Sequence, residues 1–246
     1  MCEKCRLENP AQRSRSSRRA VLGLIAASTI GLAFSRAGMA KNAKTPPKPQ
    51  NVLSPEAALE HLLKGNQRYV EGISRRHDFK HEREALAGGQ NPYAGILSCA
   101  DSRIAPEYAF DSGRGDLFVC RVAGNFANDD TVASLEYAIA MLGTPLILVL
   151  GHDSCGAVDA TIKSLMDNTI LPGHLPSLVT ALAPAVKAVL QRDGNPLDNA
   201  IRQNVIDNVA KLKSATPILN AAIEQGKLKV VGGIYRLGDG RVDMIA

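Results

Sequence analysis

The sequence predicts a single α/β domain with a mostly parallel central sheet flanked by helices, and three observations carry that expectation. Short apolar runs at 93–98, 117–122 and 146–150 lack the alternation of a half-exposed strand, which is the pattern of strands buried on both faces. Helix-like stretches lie between and after these runs, and strands that alternate with helices pair in parallel. A chain of 246 residues, 45% hydrophobic and 22% charged, is ordinary globular material and long enough for one such domain.

In chain order, residues 1–40 read as an export signal, with an Arg-rich start, an apolar run from Ala20 to Phe34, and small residues at Gly38 and Ala40 where cleavage is expected. That run has 15 residues, short for a membrane span of about 20. Ser17, Arg18 and Arg19 ahead of Ala20, Val21 and Leu22 resemble a twin-arginine signal, the type used by proteins exported already folded. The expectation is a bacterial protein of the periplasm or the exterior, with no membrane association once the signal is removed.

The leader also explains the charge. Lys4, Arg6, Arg13, Arg15, Arg18, Arg19 and Arg36 stand against Glu3 and Glu8, so the formal +5 of the whole chain sits in residues 1–40 and the remainder is neutral. With the excess positive charge confined to the leader, no nucleic-acid partner is expected for the folded part.

Residues 41–53, with Pro46, Pro47 and Pro49, read as an extended linker, and the folded domain is expected over 54–246. Ser54, Pro55 and Glu56 supply a cap, a first-turn proline and an acidic residue, so a helix starts there. Ala58, Leu59, Leu62, Leu63 and Tyr69 fall on one of its faces. A helix is expected over Thr131–Leu142, stopped by Gly143 and Pro145. Others follow over Leu178–Gln191 with Pro184 inside, Pro196–Lys213 and Pro217–Gln225. The run Leu228–Leu237 leads through Gly238, Asp239 and Gly240 into Arg241–Ile245, a terminal hairpin.

An exported protein normally pairs its cysteines. Cys2 and Cys5 lie in the leader, which leaves Cys99, Cys120 and Cys155, an odd number that points to metal ligation. Cys99, Asp101, Ser102 and Arg103 close the first apolar run, and Gly151, His152 and Cys155 close the third. The carboxyl ends of parallel strands form the ligand-binding edge of such sheets, so two thiols and an imidazole could meet there. Two cysteines and a histidine with an open fourth position make a catalytic zinc site. Singly, each residue has a plainer role: cysteine as a small buried hydrophobe, histidine as a satisfied core residue. A thiol redox protein would want a C-x-x-C, which the chain after residue 40 lacks.

Cys99-Ala-Asp-Ser-Arg103 and Gly151-His-Asp-Ser-Cys-Gly156 resemble the two zinc motifs of the β-class carbonic anhydrases, and Phe118, Arg121 and Ala123-Gly-Asn125 resemble that family's middle segment. The likeness runs from about Ser54 to Tyr235. It implies one Zn2+ per chain on Cys99, His152 and Cys155, with Asp101 and Arg103 as the catalytic dyad beside the metal-bound water. The reaction implied is reversible hydration of carbon dioxide to bicarbonate. Were Arg103 to release it, Asp101 would become a fourth ligand, which predicts activity rising with pH. The resemblance further makes Gln90 a hydrogen-bond donor to bicarbonate, lines an apolar carbon dioxide pocket with Phe118, Ala123 and Tyr137, the last supplied by a partner subunit, and puts the Gly156 amide on the substrate. It also implies a homodimer or a tetramer of dimers, the helix after Ser54 serving as an arm that packs on a neighbour.

Two departures stand out. Val122 replaces an asparagine frequent in the family, and the chain has no Trp, where members with a separate inhibitory bicarbonate pocket use one. A simpler, non-allosteric form is therefore expected. The rival readings are a hydrolase of carbonyl sulfide or carbon disulfide on the same fold, and a non-catalytic zinc-stabilised scaffold or bicarbonate-binding protein. Gln90 favours bicarbonate over the former, and the presence of both Asp101 and Arg103 argues against the latter.

Overall fold

A computed structural model describes residues 53–246. The expected export signal and the linker up to residue 52 lie outside the described residues. Among the described residues no helix is long and apolar enough to cross a membrane.

Helix α1 (Pro55–Val70) starts where the sequence puts it, with the Ser54 side chain accepting from the Ala57 amide at 3.2 Å. On its apolar face Ala58 and Leu62 are fully buried within the chain, while Leu59, Leu63 and Tyr69 are only partly buried. Gly65 lets the helix lie directly on the Phe110 backbone, since a Cβ there would stand 1.9 Å from the Phe110 carbonyl oxygen. Buried Asn66 fastens the helix by donating to the carbonyls of Ala109 and Gly240 at 2.9 and 2.8 Å and accepting from the Val242 amide at 3.0 Å.

A short helix α2 (Phe79–Leu86), capped by Asp78, leads to β1 (Ala94–Ser98). One turn of helix, α3 (Pro106–Ala109), precedes β2 (Leu117–Arg121). Helix α4 (Asp129–Leu142) begins two residues before the expected Thr131, because Asn128 and Thr131 form a reciprocal capping box. It ends on Gly143 in the left-handed region, φ 67°. Then come β3 (Leu146–His152), α5 (Gly156–Asp167), α6 (Leu175–Val189, with Pro184 inside), α7 (Pro196–Lys213) and α8 (Ile218–Glu224). The hairpin of β4 (Lys229–Tyr235) and β5 (Val242–Met244) closes the chain.

The sheet order is β2-β1-β3-β4-β5, parallel throughout except for the antiparallel β4–β5 pair. β1 and β3 are buried at every residue, as their apolar runs predict. β2 departs from that expectation: it is the edge strand, and Leu117 to Cys120 are only partly buried. Helix α7 lies close on the sheet, because Gly151 and Gly232 make room for Val205. A Cβ at either glycine would stand 2.6 or 2.7 Å from its methyls. Ser98 pairs with Leu150, so the residues just past β1 and those ending β3 share one edge.

Candidate metal centre

Two adjacent parallel strands, about 4.8 Å apart, deliver the ligands. Cys99 follows β1, His152 ends β3, and Cys155 caps α5 after a turn that places Ser154 at φ 53°. The two sulfurs and a ring nitrogen lie within 4.8 Å of one another, and the residues are 3%, 0% and 1% exposed.

His152 shows what this group is built to hold. Its Nδ1 lies 2.8 Å from the Asp153 carbonyl oxygen, which only accepts, so the proton is on Nδ1 and Nε2 presents its lone pair. That buried Nε2 has no hydrogen-bond partner. A buried unpaired acceptor is costly unless something fills it. Facing two thiols, the lone pair fits a tetrahedral cation with sulfur and nitrogen ligands, and zinc is the ion that suits this donor set.

The surroundings favour charge on the sulfur. The Cys155 thiol, then the neighbouring His152 ring and the Gly124 amide, which donates to Cys99 Sγ at 3.3 Å, hold the Cys99 thiol well below its ordinary value against the effect of burial. Cys155 is pushed up by that pairing and by burial. Burial alone would depress His152, but the Cys99 sulfur beside it, with the Asp153 carbonyl and the Asp101 charge, outweighs this and raises the pKa of the ring.

Asp101 stands at the rim with Oδ2 3.8 Å from His152 Nε2. Arg103 binds it through Nε to Oδ1 at 2.9 Å, Nη2 to Oδ2 at 2.7 Å and its own amide to Oδ1 at 2.9 Å. These bonds hold the Asp101 carboxyl well below the usual carboxylate range despite partial burial. Arg121, which the sequence marks only as part of a resembling segment, donates to the carbonyls of Cys99 and Asp101 at 2.9 and 2.7 Å, and so fixes the loop that carries both.

The other residues named from the sequence separate into two groups. Ala123 follows β2 at the metal end, next to the Gly124 amide, and Gly156 opens α5, where first-turn N–H groups lack intrahelical partners. Phe118 pairs with Gly95, four residues before Cys99, which puts it about 13 Å along the strand from the cluster. Tyr137, half exposed, lies against Phe118 with ring centroids 6.3 Å apart. Gln90 is exposed ahead of the amino end of β1, so the length of that strand separates it from the ligands. The chain therefore does not bring Gln90, Phe118 and Tyr137 to its own metal centre. Val122 packs against the core.

Residues 94–242 match the family model for carbonic anhydrase. The chain belongs to the carbonic anhydrase family. Relatives include carbonic anhydrase 2 of Mycobacterium tuberculosis, 41% identical over 76% of this chain and 91% of that protein. The carbonic anhydrase of Mycolicibacterium smegmatis is 37% identical over 78% and 93%. The fold matches solved β-carbonic anhydrases: CcaA, with a TM-score of 0.61 at 28% identity, covers 76% of this chain and 91% of its own. A chain from the crystal structures of two tetrameric β-carbonic anhydrases of Sordaria macrospora gives a TM-score of 0.61 at 25% identity over 76% of this chain and 96% of its own. This carbonic anhydrase is thus of the β class, and the Cys99, His152 and Cys155 cluster occupies the sheet edge where its topology gathers ligands.

Proposed function

We propose that the chain is an exported zinc carbonic anhydrase that converts carbon dioxide and water to bicarbonate and a proton, and the reverse. The observation that carries the reading is the buried, unpaired Nε2 of His152 facing two thiols, with the Asp101 carboxylate 3.8 Å away. Cys99, His152 and Cys155 are the residues that would hold the ion. Zinc, when bound, would supply Lewis acidity there and acidify a water beside it, less so than at an all-histidine site because two thiolates offset the ion's charge.

The chain's own groups supply orientation. Asp101, kept ionised by Arg103, can only accept a hydrogen bond, so it aligns a water beside the cluster with a lone pair toward the carbon of carbon dioxide. Arg103 also engages both oxygens of that carboxylate, which keeps Asp101 beside the cluster without joining it. In this reading the Gly156 amide, at the first turn of α5 where N–H groups lack intrahelical partners, donates to an oxygen of bicarbonate, and Ala123 offers carbon dioxide an apolar contact.

Gln90, Phe118 and Tyr137 act, in this reading, on the centre of a second copy. Phe118 on the edge strand, Tyr137 against it on α4 and Gln90 exposed ahead of β1 all lie away from the chain's own cluster, which supports it, as does the description of the Sordaria macrospora relatives as tetrameric. Residues 1–40 take the chain out of the cytoplasm: Arg18 and Arg19 before an apolar run support twin-arginine export to the periplasm.

Elemental analysis of purified protein, with stopped-flow proton release on mixing with carbon dioxide, tests the enzyme. One zinc per chain, fast hydration and a severe loss in Asp101→Asn are expected, and protein purified without zinc overturns the reading. Retention of an Arg18→Lys, Arg19→Lys variant in the cytoplasm tests the export route.

A further inference from the structure

The loop between β2 and α4 brings the Gly124 amide to Cys99 Sγ; its start is tied to β1 through Val122 and it carries one turn bond from the Asn125 amide to the Val122 carbonyl, but the stretch from Gly124 to Ala127 is held from outside the loop. Its backbone is closed in on one side by α6, since a Cβ on Gly124 (φ +84°) would stand 2.8 Å from Leu182. On the other side it is held by side chains of α7. Asn204 Nδ2 donates to the Gly124 carbonyl at 2.8 Å, Asn208 Oδ1 accepts from the Ala127 amide at 2.7 Å, and Lys211 Nζ donates to the Ala127 carbonyl at 2.5 Å. The two asparagines are tied together, Asn208 Nδ2 donating to the Asn204 carbonyl and Oδ1 at 2.7 and 3.0 Å. Positions 204, 208 and 211 recur at helical spacing, so one stripe of α7 binds three backbone groups of the loop.

Asn204 and Asn208 are 3% and 7% exposed in a helix whose other buried positions are apolar. Apolar residues of similar shape would serve packing equally well, but the loop's buried N–H and C=O groups need these partners. The same helix packs on Gly151, next to His152, through Val205. A single helix thus faces the strand that carries one ligand and the loop that touches another.

We propose that Asn204, Asn208 and Lys211 are positioning residues of the metal centre: they hold the 122–128 loop so that its amide hydrogen bond sets the electron density Cys99 gives to the ion. This rests on Cys99 being a metal ligand. Outer hydrogen bonds of this kind change metal affinity by about 10- to 100-fold.

The test compares purified wild type, Asn204→Ala, Lys211→Met and Val209→Ala. Val209 is a buried core residue of α7, packed against Gly232. Zinc affinity is measured by competition with a chromophoric chelator, and the sulfur-to-cobalt charge-transfer band is recorded after cobalt(II) substitution. Asn204→Ala should weaken zinc binding about 10- to 100-fold and shift the band. Val209→Ala should lower the melting temperature while leaving both unchanged. Lys211 is exposed, so Lys211→Met folds and carries the test with a smaller shift in the same direction. Variants that lose thermal stability yet keep wild-type affinity and spectrum overturn the inference. A wild type that binds neither metal overturns instead the assignment of the centre.

Discussion

Arg103 grips both oxygens of Asp101 with its guanidinium and adds its backbone amide to one of them, so the carboxylate has a single orientation and stays ionised. Arg103→Ala should therefore lower the hydration rate about 100-fold, comparable with losing a preorganised hydrogen bond at a reacting centre, while zinc content stays near one per chain. Arg103→Lys should recover little of it, because an ammonium cannot reproduce the two parallel bonds. Stopped-flow hydration beside elemental analysis measures both.

Removing the ion should cost stability, because only the folded chain assembles Cys99, His152 and Cys155. Free zinc at a thousand times its dissociation constant contributes about 4 kcal/mol. For a domain of this size that corresponds to a fall of roughly 10 °C in melting temperature after chelation. Added zinc should restore it in wild type and leave His152→Ala unchanged, as calorimetry would show.

The Arg68–Asp111 pair at the foot of α1 sets an acid limit. Burial pushes the Asp111 carboxyl up, but Arg68 Nε at 2.6 Å, the Arg75 amide at 2.9 Å and the charges of both arginines hold it below its ordinary value. A carboxylate whose folded pKa is depressed contributes stability at pH above the unfolded value, about 3.9, and loses it as pH falls through the folded value. Asp111→Asn should cost about 3 kcal/mol at neutral pH, since it leaves Arg68 without its partner, and the cost should shrink below about pH 4. Urea titrations at several pH values check the slope.

Gly65→Ala sets two effects against each other. Alanine improves helix propensity by about 1 kcal/mol, but its Cβ would meet the Phe110 carbonyl oxygen at 1.9 Å, a backbone atom that no rotamer change moves aside. The clash should win, with a net loss of about 1–3 kcal/mol. A rise in melting temperature would mean that α1 sits farther from α3 than described.

The strands and the longest helix were legible because burial leaves a local mark. The run Leu146–Leu150 is apolar at every residue, and Pro196–Lys213 matches its helix end to end. The metal motifs were legible because they terminate such runs. Helix α2, Phe-Lys-His-Glu-Arg-Glu-Ala-Leu, has too few apolar residues for a periodic stripe, and α3 is a single turn. Helix α5 was hidden by its own beginning, since Cys155 is at once a candidate ligand and the residue that caps it. The edge position of β2 depends on strand order, which the sequence of the strand does not carry. Backbone groups leave no signature at all: the Gly124 amide and the Asp153 carbonyl act without any side chain, and Asn204 finds its partner 80 residues away.

Cys99 and His152 are 53 residues apart in the chain yet share one sheet edge. An ion coordinated by both is a removable cross-link that closes a long loop and fastens β1 to β3, and constraints on long loops restrict the unfolded chain most. The full ligand set exists only once the two strands lie side by side, so tight capture follows that step. Tightly held metal therefore reports on folding: a molecule that keeps the ion against a chelator has brought the centre of its sheet together.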